Sequence, residues 1–235
     1  MQLRQRLARI DWEKAALELD DWGYARLPRL LTASECRDLA ALYDDDARFR
    51  STIEMEPRRY GRGQYRYLRH PLPPLVKSLR TRLYPPLARI ANRWQERLGR
   101  SDRFEPTLGA FLARCHRAGQ ERPTPLLLRY EAGGWNNLHQ DLYGAIAFPL
   151  QLTCLLSRPE RDFEGGEFLL AEQRPRQQSR GAAVALERGE GIVFATRDRP
   201  VEGSRGVFRA ALRHGVSRLL SGRRLALGVI FHDAA

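Results

Sequence analysis

His139-Gln140-Asp141, a second histidine far downstream at position 214, and Arg224 ten residues after it are the residues of this chain with the most chemistry to offer. A His and an Asp two residues apart on a strand project to the same face of a sheet. A further His from another strand would complete a three-sided cap on one metal ion. Two imidazoles and one carboxylate leave half of an octahedron open, which suits non-haem Fe(II). An Arg just past that second His could hold an acidic co-substrate beside the metal, because guanidinium is permanently charged and pairs carboxylates bidentately. Taken alone, a His-x-Asp is more commonly an exposed pair at a strand end.

The chain has five histidines, so the ligand question can be enumerated: His70, His116, His139, His214 and His232. His139 and Asp141 follow the Gly133-Gly134 turn at a strand entrance. His214 and His232 compete for the third position. His232 ends an apolar strand but lies too near position 235 for an anchoring strand to follow, and reads as a structural or surface residue. His70 before Pro71 and His116 on a helix read as ordinary polar residues.

These side chains need a scaffold, and the composition supplies one. At 235 residues with 43% hydrophobic content, the chain suits a single domain, 1–235, with a substantial core. No long uncharged apolar run suggests a membrane span, and the charged N-terminus does not read as a signal-peptide core. Cys36, Cys115 and Cys154 are odd in number and scattered, which points to neither a disulfide framework nor a zinc site and fits a reducing cytoplasm. The net charge of +12 invites a nucleic-acid partner. Lys14 and Lys77 are the only lysines, however, so the charge is almost all Arg and is spread along the chain. Compositional bias and a functional basic surface therefore both remain open.

Along the chain, the apolar spacing predicts an amphipathic helix over 3–19. Thr32-Ala33-Ser34-Glu35 forms a capping box that opens a helix through Cys36, Leu39 and Leu42. Residues 50–70 interleave Tyr60, Tyr65 and Tyr67 with cations; a surface loop or strand pair is the plainer reading, a base-stacking platform the sharper one. A helix is expected from Pro74 to Tyr84, broken at Pro85-Pro86 and resumed to Leu98, and another over 105–118. From Leu126 onward, short β-rich runs with Gly-Gly punctuation predict an antiparallel barrel or sandwich. Residues 1–125 thus read as a mainly helical support region and 126–235 as a β-rich core, the order expected if helices buttress one face of a double-stranded β-helix. Alternation along the terminal run places Arg224, Ala226 and Gly228 on one face, with Arg223 outward, although a one-residue shift would exchange the two arginines. Gln151 and Thr153 share a face within an apolar strand and suggest either a polar pocket or a hydrogen-bonded core position. The stretch 197–213, with Arg197, Arg199, Arg205, Arg209 and Arg213, reads as a solvated loop or as a substrate-facing lid.

Several motifs carry a family resemblance in the same order. They are Leu126 to Tyr130, His139-Gln140-Asp141, Asp162-Phe163-Glu164-Gly165-Gly166-Glu167-Phe168, Gly191-Ile192-Val193-Phe194, His214-Gly215-Val216-Ser217 and Ser221-Gly222-Arg223-Arg224-Leu225. From about Leu126 to the C-terminus the chain resembles the Fe(II)/2-oxoglutarate-dependent dioxygenases of the prolyl-4-hydroxylase-like group. The whole chain also resembles a bacterial branch whose family name points to damaged DNA.

The resemblance implies an α+β fold with a double-stranded β-helix (jelly-roll) core. It implies an Fe(II) site of His139, Asp141 and His214, the last preferred to His232 because Gly222-Arg223-Arg224 follows at the family spacing. It implies 2-oxoglutarate held by Arg224 and Tyr130, with Gln151 and Thr153 nearby, ascorbate as reductant, and a hairpin turn at 162–168 without a catalytic role. Oxidative demethylation of an alkylated base is one expected reaction and prolyl-type hydroxylation of a protein substrate another. A non-enzymatic nucleic-acid-binding protein on the same barrel is the rival from a different class.

Overall fold

The computed structural model describes residues 2–141, 144–204 and 206–235. Helices α1 (Leu3–Leu7) and α2 (Trp12–Trp22) replace the single helix expected over 3–19. The break arises because the Asp11 side chain accepts from the Lys14 amide at 2.9 Å and caps α2 anew. Helix α3 (Ala33–Ala41) opens on the predicted box: the Glu35 amide donates to Thr32 Oγ1, and the Thr32 amide donates to the Glu35 carboxylate.

Helix α4 (Pro74–Arg97) runs unbroken through Pro85 and Pro86, contrary to the break expected there. Two prolines remove two amide donors, but the helix buries Val76, Leu79, Leu83, Tyr84, Leu87, Ala88, Ala91 and Trp94 on both sides of them. Tertiary burial of that length outweighs the local penalty. Helix α5 (Leu108–Arg117) starts later than expected because Thr107, not Pro106, supplies the cap. Tyr84 on α4, Phe111 on α5, Phe148 and Phe231 form an aromatic cluster that fastens the helices to the β-core, with ring centroids 5.1–6.1 Å apart. None of the helices is long and apolar enough to cross a membrane.

The strands are β1 (Tyr24–Leu27), β2 (Phe49–Glu54), β3 (Gly61–Arg62), β4 (Gln64–Leu68), β5 (Leu126–Glu131), β6 (Trp135–His139) and β7 (Leu150–Leu155). They continue as β8 (Phe163–Gly165), β9 (Phe168–Gln173), β10 (Arg180–Val184), β11 (Gly191–Ala195), β12 (Asp198–Gly203), β13 (Gly206–Val216) and β14 (Leu219–Val229). One sheet has the order β1-β11-β7-β14-β5-β4-β2, with β8 paired to β14; the other runs β10-β9-β13-β6-β3, with β12 paired to β13. All pairings are antiparallel, and the two sheets form the jelly-roll sandwich.

The region 1–125 carries the five α-helices and also lends strands to both sheets, since β1 extends the large sheet at β11 and β4 joins it at β5, while β3 joins β6. Two expectations need correction. The 162–168 segment does not close a hairpin between consecutive strands. Its first strand, β8, pairs with β14 and its second, β9, with β10 and β13, so Gly165 (φ 73°) and Gly166 (φ 67°) turn the chain from one pairing to another. The stretch 197–213 is neither loop nor lid but most of the β12–β13 hairpin. The 50–70 region is the strand pair β2–β4 with an intervening strap.

Candidate metal centre

The site is assembled by the pairing of β6 with β13. His139 on β6 lies directly opposite His214 on β13, and their ring centroids are 4.3 Å apart. Three residues further back, Asn136 opposes Val216, so β6 spends three residues where β13 spends two. This bulge turns His139 to the same side as Asn136, which a regular strand would not do. Asp141 falls just beyond the end of β6, which corrects the expectation of a strand entrance with both residues on the strand. It is buried beneath the two imidazoles.

His139 Nε2 stands 3.4 Å from Asp141 Oδ1 and His214 Nε2 stands 3.3 Å from Asp141 Oδ2. One ligand atom from each of the three residues fits within a 4.8 Å cluster. His139 Nδ1 lies 2.7 Å from the Asn137 carbonyl, which accepts its proton and so leaves Nε2 as the lone-pair nitrogen facing the cluster. Burial disfavours the Asp141 carboxylate, but His214 and His139 outweigh it and hold the group well below the ordinary carboxylate range. Burial also works against charge on His139, yet Asp141 and the backbone contacts raise its pKa overall; on His214 burial prevails and lowers it. An ionised carboxylate between two imidazoles, one of them held neutral by burial, is a donor set for a divalent cation.

Beside these residues lies a cavity of about 430 Å³. Arg224 and Tyr130 oppose each other across β14 and β5, and Gly228 opposes Thr153 across β14 and β7, so all point to the same wall. Gln151, two residues before Thr153, joins them there. Arg224 is 2% exposed, and its guanidinium makes no hydrogen bond or ion pair among the described residues; Nε is fully enclosed without a partner. Burial lowers its pKa, with Tyr130 and Glu167 opposing that. A guanidinium cannot neutralise itself, so the enclosed charge calls for an anionic ligand. Burial pushes the Tyr130 phenol up to about 12, with Arg224 and the Asn136 side chain opposing, so it stays protonated and able to donate. Gln151 Oε1 is also buried without a partner. Arg223 points outward and donates to Glu131 at 2.8 Å, which settles the register of the two arginines.

These features offer a donor set for a divalent metal at the His/Asp/His cluster and a buried cation, Arg224, on the wall of the same cavity. Residues 63–234 match the model of the Oxygenase-NA family, described as an oxygenase catalysing oxidative methylation of damaged DNA.

The chain belongs to this oxygenase family.

A Mycobacterium tuberculosis protein described only as uncharacterized is 54% identical over 165 residues, covering 70% of this chain and 71% of the relative. The fold of the oxygenase is similar to that of an oxidoreductase of the 2OG-Fe(II) oxygenase family from Burkholderia pseudomallei, at 18% identity and TM-score 0.54, covering 95% of this chain and 92% of that one. It is also similar to a Pseudomonas putida prolyl-4-hydroxylase, at 14% identity and TM-score 0.53, covering 95% and 99%. Membership of an oxygenase family leaves the non-enzymatic alternative without support.

The other histidines of the oxygenase take structural places. His232 is buried, and its Nδ1 accepts from the Phe148 amide at 3.1 Å. His116 lies 2.9 Å from Asp233, and His70 is exposed before a cis Pro71. The expected arginine group does not line the cavity. Arg199 is 1% exposed and is consumed by Glu172 (2.6 Å) and by the Asp20 and Asp21 carbonyls at the end of α2. Arg197, Arg209 and Arg213 are exposed on the hairpin and stand outside the cavity wall, and Arg205 lies outside the described residues. The cavity cations are Arg224 at depth and Arg59 at the mouth. Arg59, Asn136 and Leu138 had not been singled out from sequence. Gly61 and Gly63 were the available signal: a Cβ at Gly61 would strike the Trp135 carbonyl, and one at Gly63 would sit 2.7 Å from the Tyr130 ring.

Proposed function

We propose that the protein is an Fe(II)- and 2-oxoglutarate-dependent oxygenase that hydroxylates the N-alkyl group of an alkylated nucleic-acid base. The observation that carries the cofactor reading is the enclosed, unpaired Arg224 guanidinium on the wall next to the His139/Asp141/His214 cluster. Iron, when bound, would supply the chemistry that divides one dioxygen between two oxidations, one oxygen atom going into succinate as 2-oxoglutarate loses CO2 and the other into a substrate C–H bond.

The protein's own residues do the rest. His139, Asp141 and His214 would hold the metal on one side and leave its other side open to the cavity. Arg224 would take the distal carboxylate of 2-oxoglutarate, with the Tyr130 hydroxyl and the Thr153 and Gln151 side chains beside it. Leu126, Leu128, Ile230 and Phe168 supply apolar wall that excludes water and strengthens each polar contact. No side chain need act as a general base, since oxidation of a methyl group removes a hydrogen atom and not an acidic proton. The hydroxymethyl product on nitrogen would then collapse to the free base and formaldehyde.

The family description and the net charge of +12 support nucleic acid as the substrate. A reducing compartment such as the cytoplasm suits the three buried free thiols. The test is turnover of methylated single-stranded oligonucleotides, with and without ascorbate, read as stoichiometric succinate and formaldehyde. Succinate release driven by prolyl peptides but not by oligonucleotides would sink the nucleic-acid reading and leave protein hydroxylation in its place.

A further inference from the structure

We propose that the strap over residues 55–63 is a clamp for an unpaired nucleotide, with Tyr60 stacking on the base and Arg59 holding its phosphate. The inference rests on the nucleic-acid reading above and specifies its form: the substrate is single-stranded, and the selecting element is this strap.

The strap is fastened to the strand that carries a metal ligand. Asn137 Nδ2 donates to the Arg59 carbonyl at 2.9 Å, and the Asn137 amide donates to the Tyr60 carbonyl at 2.8 Å. The same Asn137 accepts from His139 Nδ1 through its own carbonyl. Gly61 then pairs with Asn136 in the β3–β6 ladder. Whatever the strap holds is therefore placed relative to His139 by a short chain of hydrogen bonds.

Arg59 adopts φ 60°, a left-handed backbone that is costly for an L side chain other than Asn or Asp. Such strain persists where the surroundings enforce it, and it concentrates at ligand clamps. Here it aims Arg59 along the cavity mouth. On the adjoining strands Arg66 binds Asp46 and the Tyr43 carbonyl, and Arg129 lies against Asp44 and Glu131, while the exposed Arg58 and Arg62 of the strap do not line the cavity. The Arg59 guanidinium has no hydrogen bond or ion pair among the described residues. The one carboxylate on the cavity lining is Asp141, already committed to the metal cluster, so the mouth is cationic. Glu56, elsewhere on the strap, does not line the cavity.

Beside this cation sit large apolar side chains left in solvent. Tyr60 is 48% exposed, Leu138 44% and Trp135 37%. Tyr60 and Leu138 both border the cavity. A free cation next to exposed aromatic surface at the rim of a concave site matches one nucleotide, phosphate to Arg and base to ring. A base still stacked in a duplex could not enter a walled cavity to reach His214, which is 5% exposed, so the bound nucleotide must be unpaired.

The test is fluorescence anisotropy of a short labelled oligonucleotide, single-stranded or duplex, titrated with the Mn(II)- and 2-oxoglutarate-loaded full chain over a range of salt. Tyr60→Ala is expected to weaken single-strand binding about tenfold, and Tyr60→Phe to retain wild-type affinity because the ring is kept. Arg59→Gln is expected to weaken binding and to flatten the log–log salt slope by about 0.7, the share of one single-strand phosphate. Wild-type affinity in both Tyr60→Ala and Arg59→Gln, or a duplex bound as tightly as the single strand, would overturn the clamp. If the wild type also releases formaldehyde from the methylated oligonucleotide, that outcome removes the clamp alone. If only peptides drive turnover, the nucleic-acid reading itself falls and the clamp with it.

Discussion

Replacing Arg224 by Met should nearly abolish 2-oxoglutarate binding without destabilising the ligand-free protein. Met keeps most of the apolar stem's packing while deleting the charge. In the ligand-free chain that charge is a liability, because the guanidinium is 2% exposed and has no ion-pair or hydrogen-bond partner among the described residues. Swapping a buried charge for a packed apolar side chain is commonly neutral or stabilising. With ligand bound, the same charge faces a carboxylate in an enclosed wall. Deleting one member of such a buried pair costs ~3–5 kcal/mol, or roughly two to three and a half orders of magnitude in Kd. Arg223 provides the control, since its contact to Glu131 joins side chains 57% and 54% exposed. Such a pair contributes at most ~1 kcal/mol, so Arg223→Met should change the Kd by less than about fivefold. Isothermal titration of 2-oxoglutarate into Mn(II)-loaded protein, with thermal melts of the ligand-free forms, measures both quantities. Equal losses in the two variants, or the larger loss in Arg223→Met, would refute the assignment of the pocket to Arg224. A large drop in Tm for Arg224→Met would show that the arginine serves the fold and not a ligand.

His139→Ala and His214→Ala should each abolish stoichiometric metal binding, measured by elemental analysis after dialysis, while His232→Ala retains it; the reverse pattern would reassign the ligand. Arg199→Gln should act on stability and not on substrate. Its loss strips a buried partner from Glu172, although Arg174 and Arg180 remain, so on the order of 3 kcal/mol is expected. That corresponds to a Tm lower by roughly 6–12 °C for a chain of this size, whereas Arg213→Gln on the exposed hairpin should melt like the wild type. His232 has a pKa lowered to about 4 by burial, with Arg80 adding to the effect, and its Nδ1 accepts from the Phe148 amide. The unfolded chain therefore binds a proton more readily than the folded one between about pH 6.5 and pH 4, and stability should fall as pH drops through that window by an amount on the order of 2–3 kcal/mol. Urea denaturation of wild type and His232→Gln across this range should give a shallower pH slope for the variant; identical slopes would remove His232 from the account.

The sequence by itself determined the candidates for chemistry. Residue type and strand alternation singled out His139, Asp141 and Arg224, the family resemblance preferred His214 to His232, and the Thr32 capping box is contained within four residues. Alternation required only that Arg223 and Arg224 face opposite ways; the Arg223–Glu131 contact in the folded chain decided which of them faces inward. The tertiary structure decided where those groups meet. The β6 bulge that turns His139 toward His214 depends on how two strands distant in sequence pair, and no local pattern encodes it. Helix α4 crosses Pro85-Pro86 because burial of a long apolar face outweighs a local penalty that sequence rules weigh alone. Arg199 seemed the equal of Arg197 and Arg213 in a run of cations, yet it is enclosed against Glu172 and the end of α2, because a charge acquires its meaning only from its partners. Arg59 was passed over for the same reason: the strap that brings it to the cavity is held by Asn137, 78 residues away in the chain. Spacing specifies what a residue can do, and long-range pairing specifies what it faces.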